Sequence, residues 1–182
     1  MPILPHRKVD LNDHSLVSLL DELPLWSAPF GLKLLEKVVP RKNMTVLDFG
    51  YGTGFPLLEL AMRLGDTCKV YGIDPWQAAT ARAKEKIRLY GINNVELLNI
   101  GETQNIASLQ SLGQSFDLIV SNNGLNNVED MESASRILSH TALPMAAPCS
   151  GIFSSGWLFS TPGERLFQKA GRMNFSMILK KN

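Results

Sequence analysis

Cysteine is almost missing from this chain. Cys68 and Cys149 are the only two, far apart in sequence. That excludes a disulfide-stapled scaffold and any thiolate-rich metal spacing. The pair reads as two packed thiols in a reducing compartment. An excess of charge of either sign is also lacking. Lys and Arg number 18 against 17 Asp and Glu, a formal net charge of +1. Nothing in that balance calls for a nucleic acid or an anionic membrane surface as partner. Long apolar runs are absent, and no stretch approaches the ~20 residues a membrane span needs. Met1 to Lys8 carries basic residues with no apolar run behind them, so no secretory leader is expected and a cytoplasmic location is. Histidine is rare: His6, His14 and His140 lie outside any site motif. No general base and no metal ligand is therefore assigned, although His140 follows the fourth strand region by one helix. Gly-x-x-x-x-Gly-Lys-Ser/Thr does not occur, which excludes a phosphate-gripping loop of that kind. There is no internal repeat, low-complexity segment or linker.

What is present is an ordinary globular composition over 182 residues, enough for one domain with a sizeable core. Residues 1–40 read as an N-terminal helical cap and 41–182 as the core. A polar lead with Pro2 and Pro5 precedes a helix from Asn12 or Asp13 to about Leu23, ended by Pro24. A second helix runs from Phe30 to Val39 and stops at Pro40. A strand follows at 44–47, then a glycine turn and a helix carrying Leu57, Leu58, Leu60, Ala61 and Leu64, ended at Gly65. Cys68–Ile73 is a second strand, Trp76–Leu89 a helix closed by Gly91, and Val95–Ile100 a third strand. Residues 103–114 make a polar helix or loop. Phe116–Ser121 is a near-continuous apolar run of the kind a parallel sheet buries on both faces. A helix is expected from Glu129 to about Thr141, a fifth strand over 151–158, a short helix over 162–170 and a closing strand over 173–179. This alternation predicts right-handed crossovers and a Rossmann-like α/β fold, a mostly parallel sheet with helices on both faces.

In such sheets, ligands sit beyond the carboxyl ends of the strands. Four strand ends carry a polar or glycine-rich feature. The first is Asp48-Phe49-Gly50-Tyr51-Gly52-Thr53-Gly54, and the second is Asp74, whose carboxylate can accept both ribose hydroxyls of a nucleoside. The third is Asn99-Ile100-Gly101-Glu102 and the fourth Ser121-Asn122-Asn123-Gly124. Taken singly, each acid or glycine is an ordinary turn or cap residue. Their joint placement points to a nucleoside-bearing cofactor. A dinucleotide loop wants Gly-x-Gly-x-x-Gly. Here Phe55 stands where its third glycine would be, so an NAD-dependent oxidoreductase fits poorly.

Val46 to Gly54, Val70-Tyr71-Gly72-Ile73-Asp74-Pro75 and Phe116 to Asn122 resemble three motifs of the class I S-adenosylmethionine-dependent methyltransferases. The likeness covers residues 25–130, and Leu25 to Phe30 with Gly54-Phe55-Pro56 is similar to bacterial members acting on small molecules. The resemblance implies a cofactor, S-adenosyl-L-methionine, and a role for each matching residue. Gly50, Gly52 and Gly54, with the Tyr51 backbone, would cradle its methionine and ribose portions. Asp48 would organise the loop or reach the amino group. Asp74 would hold the ribose hydroxyls, with Pro75 and Trp76 beside the adenine and Gly101 and Glu102 lining its pocket. Asn122 and Asn123 would face the sulfonium and the acceptor. Trp26 and Phe30, with Pro29, would close over the site.

The resemblance implies a methyltransferase, with a small-molecule acceptor expected. The fourth strand ends in Asn122-Asn123-Gly124-Leu125, not the Asn/Asp-Pro-Pro-Tyr of nucleic-acid amino-methylating enzymes. Residues 159–182 are all that follow the expected fifth strand, a shortened end compared with the family. That leaves three further expectations: an open acceptor site that takes a bulky or protein-bound substrate, a homodimer through the open sheet edge, or a cofactor-binding partner subunit with no catalysis of its own.

Overall fold

The structure, a computed structural model, describes residues 10, 12–22, 27–98, 113, 115–142, 151–154 and 157–159. Two N-terminal helices come first, α1 (His14–Glu22) and α2 (Ala28–Lys37). Then follow β1 (Thr45–Phe49), α3 (Leu57–Leu64), β2 (Lys69–Ile73), α4 (Gln77–Tyr90), β3 (Val95–Leu98) and β4 (Leu118–Ser121). A 3-10 turn at Leu125–Asn127, α5 (Met131–Thr141), β5 (Gly151–Ser154) and β6 (Trp157–Phe159) complete the described chain. The strands form one sheet in the order β3-β2-β1-β4-β5-β6. All neighbours are parallel except β5 and β6. This is the expected Rossmann-like α/β architecture.

Each element has a local cause. Asp13 precedes α1 and its carboxylate accepts from the Ser15 N–H at 2.9 Å, a side-chain cap on an orphan amide. Asp130 does the same for α5, accepting from Ser133 N–H at 2.9 Å. α3 has only 8 residues, too few to be stable alone in water. Leu57, Leu58, Leu60, Ala61 and Leu64 are all buried, and that apolar stripe is what holds it. α4 turns Ala78, Ala79 and Ala83 to the sheet, so it packs close, and Gly91 ends it in a left-handed conformation.

The core lies on both faces of the sheet, sorted by the period of two along each strand. Val46, Val70, Leu118 and Val120 face α3, α4 and Leu34 and Leu35 of α2. Leu47, Phe49, Ile73 and Ile119 face the opposite way, toward Leu125 and toward Ala134 and Leu138 of α5. Cys68 is buried, its thiol donating to the Arg41 carbonyl at 3.0 Å, as a packed thiol should; Cys149 lies outside the described residues.

One element differs from the expectation. The strand expected over 151–158 is two strands: β5 ends at Ser154, and Trp157 lies opposite it in antiparallel register. In the sequence, Ser155-Gly156 between them is a dipeptide that favours a turn. The elements expected over 162–170 and 173–179 lie outside the described residues, as does that expected over 103–114 except for Gly113.

Candidate functional site

Parallel register brings the informative strand ends together. Asp48 of β1 pairs with Gly72 of β2 and Val120 of β4, and Phe49 with Ile73. The loops at 50–56, 74–76 and 122–124 therefore emerge side by side. The Gly50 N–H donates to the Ile73 carbonyl at 2.7 Å, fastening the first two loops at their base.

Gly50, Gly52 and Gly54 all have positive φ, at 81°, 55° and 116°. At Gly50 the reason for glycine is also steric. A Cβ there would sit 2.3 Å from the Gly124 Cα, and one on Gly124 would sit 2.1 Å from the Phe49 carbonyl oxygen. The two loops thus touch backbone to backbone. Gly124 belongs to the fourth strand-end feature in the sequence, but its specific task, admitting the first loop, shows only in the fold. Above Gly52 the space is open, with nothing within 4 Å of where a Cβ would be.

Asp74 spans this gap. Its Oδ2 accepts from the Gly52 N–H at 2.7 Å and its Oδ1 from the Trp76 N–H at 2.8 Å. Each oxygen keeps a further lone pair for hydroxyl donors. Burial pushes the Asp74 carboxyl up from the ordinary range, and its two backbone donors offset part of that. Asp48 lies below the loop on the α3 side, fully buried, and neither of its oxygens completes a hydrogen bond. Burial foremost, and then the charge of Asp74, drive its carboxyl well above the usual range; the nearby Leu57 amide compensates only in part.

Tyr51 turns its ring away from the open side. It is 1% exposed, packed in the core with Leu57, and its hydroxyl pairs with Thr80 Oγ1 at 2.8 Å. The ring fills the room left by Gly72, where a Cβ would meet Tyr51 Cδ1 at 2.7 Å. Only the Tyr51 backbone remains on the loop. Burial above all, with the charges of Asp74 and Asp48 and against the Thr80 bond, pushes its phenol to about 12.

At the fourth strand end, Ser121 is buried. It donates to the Phe49 carbonyl at 2.8 Å and accepts from the Leu125 N–H at 2.9 Å, which sets the path of the loop. Asn122 is buried and donates to the Ser27 carbonyl, at 3.3 Å, where α2 begins. Its Oδ1 completes no hydrogen bond. Asn123 holds a positive φ of 69° and accepts from Asn126 and Asn127. α2 reaches over this end of the sheet: a Cβ on Gly31 would meet Phe55 Cε1 at 2.2 Å and Asn122 Nδ2 at 3.0 Å. Phe30, beside it, is 42% exposed.

The structure therefore gathers Asp48, Gly50, Gly52, Gly54, Asp74 and Asn122 at one end of the sheet, with Pro75 and Trp76 following Asp74. Trp26, Gly101 and Glu102 lie outside the described residues. His140 does not belong here. It lies in the last turn of α5, exposed, one ring nitrogen 2.6 Å from the Arg136 carbonyl. Ala142, just beyond it, bridges Phe116 ahead of β4, at the amino end of the sheet. Among the described residues no cluster of His, Cys, Asp or Glu could hold a metal.

The loops carry no Lys or Arg at 48–54, 74–76 or 121–124, but two carboxyls. A phosphate would be repelled there. A group bearing hydroxyls and positive charge fits instead: Asp74 offers acceptors, Asp48 has two unfilled oxygens, and Gly52 leaves the approach clear.

Comparison with known proteins follows the same outline. The family model described as a methyltransferase domain matches residues 40–161. Over 115 residues, 63% of it, the chain is 30% identical to the "Probable cobalt-precorrin-6B C(15)-methyltransferase (decarboxylating)" of Saccharolobus solfataricus, covering 57% of that protein. It is 32% identical over 121 residues to the release factor glutamine methyltransferase of Flavobacterium psychrophilum, 66% of this chain and 39% of that one. The chain thus spans about half or less of these relatives' lengths. Among solved structures, a SAM-dependent methyltransferase from Aquifex aeolicus superposes with a TM-score of 0.58 at 27% identity, covering 72% of this chain and 68% of that one.

Proposed function

The chain belongs to the methyltransferase-domain family, within the class I S-adenosylmethionine-dependent methyltransferases, and from that membership and the strand-end geometry we propose that it transfers a methyl group from S-adenosyl-L-methionine to a small-molecule acceptor. The observation that carries the cofactor reading is the open space over Gly52 with the Asp74 carboxylate beside it. Gly50, Gly52, Gly54 and the Tyr51 backbone would hold the methionine and ribose portions, Asp74 the hydroxyls, Pro75 and Trp76 the adenine side together with Gly101 and Glu102. Asp48 would answer the positive charge from beneath the loop. The cofactor, when bound, supplies an electrophilic methyl on a sulfonium. The residues then have little chemistry to add beyond alignment. Fixing donor and acceptor in line is worth up to ~7–11 kcal/mol in favourable cases. A base is required only when the acceptor must lose a proton.

Support for a small acceptor comes from α2, which covers the β4 end of the sheet through Gly31 and the Asn122–Ser27 bond, and from a net charge of +1, which gives nucleic acid no attracting field. Phe30, Asn123 and Trp26 would stand on the acceptor side. No helix among the described residues is long and apolar enough to cross a membrane, and a cytoplasmic location is part of the proposal. So is a homodimer through an open edge of the sheet, whose outermost described strands are β3 and β6.

Asp74→Ala tests the assignment. It removes two charge-assisted bonds to the loops and the acceptors for the hydroxyls, each worth about 1.5–3 kcal/mol. Calorimetric affinity for S-adenosylmethionine should fall by about 100-fold or more. Affinity unchanged from wild type, or thermal protection by NAD and none by S-adenosylhomocysteine, would sink the reading. Binding without turnover over a broad acceptor panel would instead favour the partner-subunit role.

A further inference from the structure

Lys86 lies on α4, outside every motif of the site, yet it reaches the glycine loop. Its ammonium donates to the Thr53 carbonyl at 3.0 Å and to the Asp21 carboxylate of α1. Asp21 also accepts from Arg82 Nε at 2.9 Å. The Asp21 and Lys86 side chains are only 10% and 18% exposed. This is not a water-screened surface pair, and losing one partner strands the other charge. Burial alone would raise the Asp21 carboxyl; Lys86, Arg82 and the Thr53 hydroxyl outweigh it and hold the group below its ordinary value.

The consequence falls on one peptide group. The Thr53 carbonyl is held by Lys86, while the Gly54 N–H donates to the Tyr51 carbonyl at 2.9 Å. In a trans peptide these two groups point in opposite directions, so the plane between Thr53 and Gly54 is pinned from both sides. The Gly52 N–H is held by Asp74. Between them these bonds fix a loop whose three glycines would otherwise leave it free to move.

We propose that Lys86 and Asp21 are positioning residues of the glycine loop, so that α1 is part of the cofactor site although it precedes the matched residues 40–161. This rests on the reading of the loop as the S-adenosylmethionine cradle. The test is calorimetric binding of S-adenosylmethionine to the full chain, with urea denaturation of each variant reporting stability separately. Lys86→Met should weaken binding by about tenfold, the worth of one charge-assisted bond to the loop. Asp21→Asn should weaken it by about fivefold, and the double variant no more than Lys86→Met alone, since asparagine keeps an acceptor for the Thr53 hydroxyl and the charge acts on the loop through Lys86. Lys86→Arg should restore binding to within about threefold of wild type, because the charge and reach are kept. Arg82→Met is the comparator: it breaks the second ion pair of Asp21 without touching the loop, so stability should drop while affinity stays within about twofold. Wild-type affinity in Lys86→Met, or equal losses in Arg82→Met and Lys86→Met, would overturn the proposal. If Lys86→Met does not fold, Asp21→Asn against Arg82→Met decides in the same way. Asp74→Ala measured alongside separates the two levels. If it too binds normally, the cradle reading fails; if it abolishes binding while Lys86→Met does not weaken it, only this inference fails.

Discussion

Asp48→Asn should stabilise the cofactor-free protein at neutral pH. The carboxyl is fully buried, its two oxygens complete no hydrogen bond, and Asp74 adds a second negative charge nearby. Its pKa in the fold is raised. Above about pH 3.9, where a free aspartate ionises, the unfolded chain has lost this proton while the folded chain keeps it. The folded state then binds more protons, and stability falls as pH rises by about 1.4 kcal/mol per unit. The decline continues until Asp48 ionises within the fold and then levels off. Asparagine has the same shape and no proton to lose, so the variant lacks this slope. Near pH 4 the two proteins should melt together. From there upward the variant should gain about 3–6 °C per pH unit, taking about 2–4 °C per kcal/mol for a chain of this size. Scanning calorimetry of both proteins from pH 4 to 8 without cofactor reads the difference directly, and contributions shared by both largely cancel in it. A variant that melts below wild type at pH 7.5, or a difference that stays flat over the range, would refute the argument that the burial of Asp48 is compensated only in part.

Two further outcomes are expected. Gly50→Ala meets the Gly124 backbone at 2.3 Å in a left-handed conformation, so it should cost about 3 kcal/mol or more in urea denaturation. Gly91→Ala, left-handed at φ 62° and ψ 34° with nothing within 4 Å, should cost only about 1–2 kcal/mol; equal losses would remove the steric account of the Gly50–Gly124 contact. Tyr51→Phe deletes the bond to Thr80 and should cost about 0.5–1.5 kcal/mol with cofactor affinity within about twofold of wild type. A tenfold loss of affinity would place the phenol on the ligand side of the loop.

Much of the site can be read locally because its parts are local. An apolar strand stopping at Asp48, three alternate glycines and an apolar helix stripe lie within 44–64, and Asp74 repeats the strand-end logic once. Parallel register then carries those ends to one place, which alternation alone predicts. Other features leave no local mark. Asp21 and Lys86 are 65 positions apart, and each reads in isolation as a solvated helix charge. Tyr51 could have turned either way, and only the gap over Gly72 on the neighbouring strand draws it inward. The β5–β6 break depends on two residues whose turn tendency competes with the apolar residues on either side.

Sequence by itself determined the fold class, the carboxyl-end location of the candidate site and the poor fit of its loops to a phosphate, because periodicity, glycine and charge are properties of short stretches. Tertiary structure decided how that glycine loop is held. Gly124 meets it backbone to backbone, Asp74 ties down its Gly52 amide, and Lys86 with Asp21 of α1 pins its Thr53 carbonyl. Those contacts join distant positions, and no spacing along the chain encodes a bond that only folding brings within reach.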